Sequence, residues 1–208
     1  MSCVKFDLKN VASNYSRKLA LFGSGGHARE VAAQIGQPVT FYVTDELADG
    51  QAEPVSKFDP NTEVMLVAIG ESILREKIIE SLPNETVYFT YIHPTAQILD
   101  SNIVIGAGSF IGANCILTTN IRLGKHALLN RNVQVGHDCV IGDYFSAMPG
   151  AIIGGNVMIG NNVYLGSMSN LRDKVSILAN NVKVGMNAAV VNDIHESGVY
   201  IGVPARKH

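Results

Sequence analysis

The sequence predicts an α/β front part with a parallel sheet, joined to a solenoid of short stacked coils. Three observations predict it. Strand-like and helix-like segments alternate up to about Thr90, a six-residue rhythm runs from Ile103 onward, and a glycine-rich loop closes the first strand-like segment. Alternation of that kind builds βαβ units. A fixed short period makes each repeat pack against its neighbours in a stack.

In the front part, KLALFGSGG (18–26) is an apolar run ending in glycines, and HAREVAAQIG (27–36) is a short helical segment. PVTFYVTD (38–45) reads as a second strand and TEVMLVAIG (62–70) as a third. ESILREKIIESL (71–82) is a second helix with Ile73, Lys77 and Glu80 on one spacing, and TVYFTYI (86–92) a fourth strand.

From Ile103 the chain divides into sixes. The third position reads Ile105, Ile111, Leu117, Leu123, Leu129, Val135, Ile141, Ala147, Ile153, Ile159, Leu165, Leu171 and Ile177, all apolar. The first position is small or apolar, as at Ser109, Cys115, Ala127, Val133 and Cys139, and glycine often fills the fourth. After Asn181 the frame slips by one residue and resumes with Val184 and Val190. Three sixes close a triangular turn, so residues 18 apart stack and the third-position side chains form an interior ladder. Burial of each contributes about 1.5–3 kcal/mol. Glycine after them is expected to permit the tight corner.

Composition narrows the partners. The chain has 208 residues, 47% hydrophobic and 16% charged, with a formal net charge of -2. That balance suits a well-buried soluble protein and gives no basic footprint for nucleic acid or an anionic membrane. Its apolar runs are short and broken by glycine, below the ~20 residues that span a bilayer. The N-terminus has no apolar signal core, which points to the cytoplasm. Cys3, Cys115 and Cys139 have no metal-like spacing and read as reduced thiols.

The repeat, with its closing GVYIGVPARKH, resembles the hexapeptide-repeat acyltransferases. The resemblance implies a left-handed parallel β-helix, a homotrimer, and acetyl-CoA held between adjacent helices as a co-substrate, with no tightly bound cofactor. FGSGGHAREV, VAIGE and IHPTA occur in that order ahead of the coils. This order is similar to the sugar acetyltransferases of the sialic-acid O-acetyltransferase and bacillosamine-pathway type. Those enzymes mostly acetylate the amino group of nucleotide-linked 4-amino-4,6-dideoxy sugars for surface glycans. The resemblance implies a nucleotide-sugar-binding domain over residues 1–92 and an acyltransferase domain over residues 93–208.

Gly23, Gly25, Gly26 and Ala28 also match a G-x-G-x-x-A dinucleotide pattern, with Asp45 about twenty residues on. Only about 70 residues precede the repeat, too few for the two halves of a full dinucleotide site. A mononucleotide fits better, its phosphate approached by backbone N–H groups at a helix N-terminus. By resemblance, Gly25, Gly26 and His27 touch the nucleotide sugar, Thr44 and Asp45 reach the base, and Gly70 lines the pocket. The family commonly has two acidic residues where this chain has Thr44 and Asp45.

Within VQVGHDCVIGDY (133–144), His137 and Asp138 take the fifth and sixth positions, at a corner where side chains point outward. Acyl transfer to an amine needs a base, and imidazole titrates near working pH. An adjacent carboxylate holds the ring's tautomer. The resemblance makes His137 the base and Asp138 its partner, and puts Asn130 near the sugar or base. It also puts acetyl-CoA against Ser146, Gly155, Ser167 and Gly185. His126 and His93 are expected to be structural or close to the sugar. A zinc carbonic anhydrase on the same fold needs three converging histidines, and the eleven-residue spacing of His126 and His137 offers no close pair, so no metal is expected. The same motifs would also suit a sugar O-acetyltransferase, or a nucleotide-sugar-binding module without turnover.

Overall fold

Strands of the front part alternate their side chains between two covered faces, and this sets the layering. The computed structural model describes residues 16–208; Cys3 lies outside the described residues. β1 (Lys18–Phe22), β2 (Val39–Val43), β3 (Glu53–Pro54) and β4 (Glu63–Val67) form a parallel sheet in the order β3-β2-β1-β4. Leu19, Leu21, Val64 and Leu66 pack with Ala28, Val31 and Ile35 of α1 (Gly26–Ile35). Ala20, Phe22, Met65 and Val67 face the other way, against Leu82 and against Ile78 of α2 (Ser72–Ser81). Burial on both faces explains why these strands read as continuous apolar runs.

Helix α2 forms as expected and buries Ser72 and Arg75 against the coil and Ile78 against the sheet. One expectation about this part needs correction. Residues 86–92 do not form a full fourth strand. Tyr88 makes a single bridge to Met65, and the chain then leaves the sheet so that Tyr91–Ile92 pairs with Phe110–Ile111 as the first rung of the coil.

In the coil, the second and third positions of twelve of the thirteen sixes form a two-residue strand, Ile177 of the last making only single bridges, and strands stack in three parallel ladders. One ladder carries Phe110, Leu128, Ser146 and Tyr164. The next carries Ile116, Gln134, Ile152 and Asn170, and the last Val104, Arg122, Val140 and Met158. All thirteen third-position side chains are buried in one core. The slip is absorbed at Asn181, so Leu165 pairs with Val184 rather than with its residue 18 along.

The corners differ from expectation. The left-handed residue is the sixth, not the glycine at the fourth: Asn114, Asn120, Asn132 and Asn156 have φ of 59, 50, 60 and 58°. Asparagine tolerates that region. The fourth position is glycine because coils approach too closely for a side chain. A Cβ on Gly106 would lie 2.5 Å from the Gly124 carbonyl carbon.

The front part docks on the ladder of Phe110 and Leu128, which share a core with Leu21, Val31, Phe89 and Tyr91. Arg75, 1% exposed, completes the joint. It donates to the carbonyls of His126 (2.9 Å), Tyr144 (2.7 Å), Phe145 (3.0 Å) and Ile69 (2.6 Å) and to Ser146 Oγ (2.8 Å). Among the described residues no helix is long and apolar enough to cross a membrane.

Candidate active site

The carboxyl ends of β1, β2 and β4 form one rim, and the predicted nucleotide residues all lie on it. The chain runs from β1 to β2 on one side and reaches β4 on the other, so the rim beside β1 is a topological switch point, the usual place for a ligand crevice in an α/β sheet. Gly23 has φ 114°, which demands glycine, and its N–H donates to Tyr42 O at 2.7 Å. Gly25 is the N-cap of α1 with no side-chain cap, which leaves the first-turn N–H groups of the helix facing outward. A Cβ on Gly25 would meet nothing within 4 Å, and one on Gly26 only Arg29 Nη2 at 4.0 Å. These glycines therefore border open space, unlike those of the coil. Gly70 follows β4, its carbonyl accepting from Ser146 Oγ at 2.8 Å.

His27 is the first side chain inside α1. Its Nε2 is buried without a partner and its Nδ1 lies 3.8 Å from Glu30 Oε2. Burial is the largest influence on the ring and lowers its pKa below the ordinary value, with Glu30 acting in the opposite direction. Glu30 is also paired with Arg131 at 2.7 Å, which ties the glycine loop to the coil corner next to Asn130. Thr44 and Asp45 cap the end of β2. The Asp45 carboxylate accepts from Ser56 N at 3.0 Å, and this bond lowers its pKa. One Asp45 oxygen is thus committed to the protein.

On the coil, His137 and Asp138 stand at the corner between the second and third ladders, with side chains 61% and 50% exposed. His137 Nδ1 lies 2.7 Å from Asp138 Oδ2. An ionised carboxylate only accepts, so Nδ1 carries a proton, and in the neutral ring it is Nε2 that has the lone pair. Asn120 holds the carboxylate from the coil below, its Nδ2 donating to Asp138 Oδ1 at 2.6 Å. That bond, then the one from His137, lowers the Asp138 pKa. Gly155 lies one coil above; a Cβ there would be 2.4 Å from His137 Nε2, so the ring occupies the space a side chain would need. Sequence reasoning does not single out Asn120, although it stands 18 residues before Asp138, the stacking distance.

Asn130 is at the corner before, 4% exposed. Its Oδ1 accepts from Arg131 N at 2.7 Å; a backbone N–H can only donate, so the amide nitrogen is the atom left for a ligand. Of the residues expected to meet acetyl-CoA, Gly155 stacks on His137, while Ser167 and Gly185 rise from the Asn130 corner. Ser146 is a correction. It is wholly buried under the front part, bonded to Gly70 O, Ser72 Oγ and Arg75, and has no face toward a cofactor groove.

The three corners keep the histidines apart. His126 is 6% exposed beneath the front part, stacked on Tyr144 at 5.5 Å, with its pKa lowered to about 4 first by burial and then by Arg75. His93 Nδ1 accepts from Thr95 N at 3.1 Å in a turn. Among the described residues no group of three or more His, Cys, Asp or Glu side chains converges as a metal site would require. Most telling is the place of His137. Its corner is the vertex opposite the ladder on which the front part docks, so one chain does not bring the glycine-rich rim and His137 together.

Comparisons with known proteins bear on the fold and the kind of chemistry. The family described as bacterial transferase hexapeptide (six repeats) matches residues 138–173. GDP-perosamine N-acetyltransferase of Escherichia coli O157:H7 is 29% identical over 165 residues, covering 71% of this chain and 74% of that one. PerB of Caulobacter crescentus, solved with CoA and GDP-perosamine, superposes with a TM-score of 0.82 at 25% identity, covering 93% of this chain and 98% of that one. The acetyltransferase domain of PglB from Neisseria gonorrhoeae FA1090, solved with acetyl coenzyme A, gives a TM-score of 0.80 at 26% identity, over 92% and 99% of the two chains. By its coils, its βαβ front and these likenesses, the chain has the left-handed β-helix fold and is similar to hexapeptide-repeat acetyltransferases.

Proposed function

We propose that the protein transfers the acetyl group of acetyl-CoA to the amino group of a nucleotide-linked 4-amino-4,6-dideoxy sugar, in the cytoplasm and for surface glycan synthesis. The observation that carries the mechanism is the His137–Asp138 pair, which leaves an imidazole lone pair at an exposed corner. The sugar's amine nitrogen attacks the thioester carbonyl and His137 Nε2 takes its proton. The C–S bond then breaks and CoA leaves as the thiol once protonated. Among the described residues no cysteine is suited to carry the acetyl group in between. Cys115 and Cys139 are buried, and burial pushes both thiols up, Cys115 to about 11.

Residues 1–92 serve in this reading as the nucleotide-sugar domain and residues 93–208 as the acyltransferase domain. Gly25, Gly26 and His27 hold the diphosphate and sugar, Thr44 and Asp45 the base. The GDP-sugar relatives support a nucleotide-linked amino sugar. Because the rim and His137 lie on opposite sides of one chain, the site is completed between copies in a homotrimer. Val140, Ile152 and Met158, exposed apolar side chains on the two ladders that flank His137, are the surface such copies would cover.

The test is thiol release across GDP-, UDP- and dTDP-linked 4-amino and hydroxy sugars. An amino sugar is expected to be the acceptor. His137→Asn is expected to lower kcat by roughly 10²–10⁴ with both substrates still bound. A His137→Asn protein turning over near the wild-type rate at pH 7 would defeat the mechanism, and a fully active monomer by light scattering would defeat the shared site.

A further inference from the structure

Asn120 closes a chain of side chains that begins at His137. It occupies a sixth position one coil below Asp138, with φ 50°. Its Nδ2 donates to Oδ1 of Asp138 at 2.6 Å while Oδ2 of the same carboxylate accepts from His137 Nδ1 at 2.7 Å. Backbone holds the same place, Asp138 N donating to Thr119 O at 3.1 Å. The arrangement is not the stacking bond used elsewhere in the coil. Asn161 and Asn180, at another corner, accept from backbone N–H groups of the coil below, through Asp143 N at 2.9 Å and Asn161 N at 2.8 Å. Asn120 instead donates to a side chain. An exposed aspartate is otherwise free to swivel about its side-chain torsions, and a carboxylate gripped at one oxygen presents the other in a fixed direction.

Resting on the acyl-transfer reading above, we propose that Asn120 is a positioning residue for that step: it grips Asp138 Oδ1 so that Oδ2 keeps the His137 ring in the tautomer and orientation that aim Nε2 at the amine. The Asp138–Asn120 bond is also the largest cause of the lowered carboxyl pKa, so the carboxylate stays ionised for this task.

Asn120→Gly removes the amide and suits the left-handed backbone. Asn120→Asp keeps the shape and has no proton to donate at pH 8. With acetyl-CoA and GDP-perosamine, or whichever sugar of the panel turns over, each is expected to lower kcat about ten- to a hundredfold, the scale of a lost hydrogen bond to a charged group. Both KM values should stay within about twofold of wild type. Added to Asp138→Asn, the Asn120→Gly change should cost nothing further, since its effect runs through that carboxylate. Nitrogen-15 spectra of the His137 ring give a readout independent of turnover: wild type with the proton on Nδ1, Asn120→Gly with a mixture of tautomers. An unchanged kcat, an unchanged ring spectrum, or the same loss in the Asp138→Asn background would overturn the proposal. A fully active His137→Asn protein would instead sink the acyl-transfer reading, so the two failures are distinct.

Discussion

Gly155 is decided by a neighbour in the next coil and His126 by the front part that covers it. The His137 ring fills the space beside Gly155, where a Cβ would meet Nε2 at 2.4 Å. Gly155→Ala is therefore expected to push the exposed ring out of line and cut kcat about tenfold or more, while the thermal midpoint stays near wild type. Steady-state kinetics with a melting curve checks both. His126 gives a pH prediction. Its folded pKa, about 4, lies below the ordinary 6.5, so the fold holds it neutral and protonation opposes the native state. The contribution is intact above about pH 6.5 and is lost as pH falls toward 4, with a full cost on the order of 3 kcal/mol. Thermal melts from pH 7 to 4 should fall more steeply in wild type than in His126→Asn, which tolerates the left-handed corner; equal slopes would refute this.

At the scale of elements, two sorts of glycine look alike in the sequence and behave differently. In the coil, a Cβ on Gly124 would lie 2.5 Å from the Gly142 carbonyl carbon and oxygen, backbone atoms that cannot yield, and as close to Asp143 Oδ1. Gly124→Ala should destabilise by about 1–3 kcal/mol through overpacking, seen as a lower denaturant midpoint. At the start of α1, a Cβ on Gly26 meets nothing closer than 4.0 Å. Gly26→Val should leave the melt nearly unchanged and weaken nucleotide-sugar binding at least tenfold, with acetyl-CoA affinity intact; calorimetry with each ligand separates the two. Equal loss for both ligands would remove the loop from the sugar site. The repeat's period was legible because every third-position residue is apolar. The reason for its glycines was not, since close approach occurs between residues 18 apart and leaves no local sign.

For the whole molecule, the joint between front part and coil rests on a buried guanidinium that, among the described residues, forms no ion pair, although the Glu71 carboxylate nearby favours its charged form. Burial lowers the Arg75 pKa to about 10, and the group remains protonated at neutral pH. Its charge is met by carbonyl dipoles of both parts. Arg75→Leu would leave several buried carbonyls without donors, a loss of about 3 kcal/mol or more. Calorimetry should then resolve a front part melting ahead of the coil, and limited proteolysis should cut the front part first. A single unshifted transition would show that the apolar contacts of Phe110 and Leu128 suffice.

The amino-acid sequence by itself determined the coil, the βαβ order of the front part and the His137–Asp138 pair, because each is written in spacing along the chain: period six, strand-helix alternation, adjacent residues. The docked ladder also left a sign, since Phe110, Leu128, Ser146 and Tyr164 recur every 18 residues without a charge. Only the tertiary structure decided that Arg75 is the clamp, that Ser146 lies under the front part, that Asn120 grips Asp138, and that His137 faces away from the glycine-rich rim. Those outcomes depend on which coil stacks on which and on which of three faces the front part covers. Such contacts are long-range, and their energies come from backbone carbonyls and close packing that any sequence of the same pattern would present.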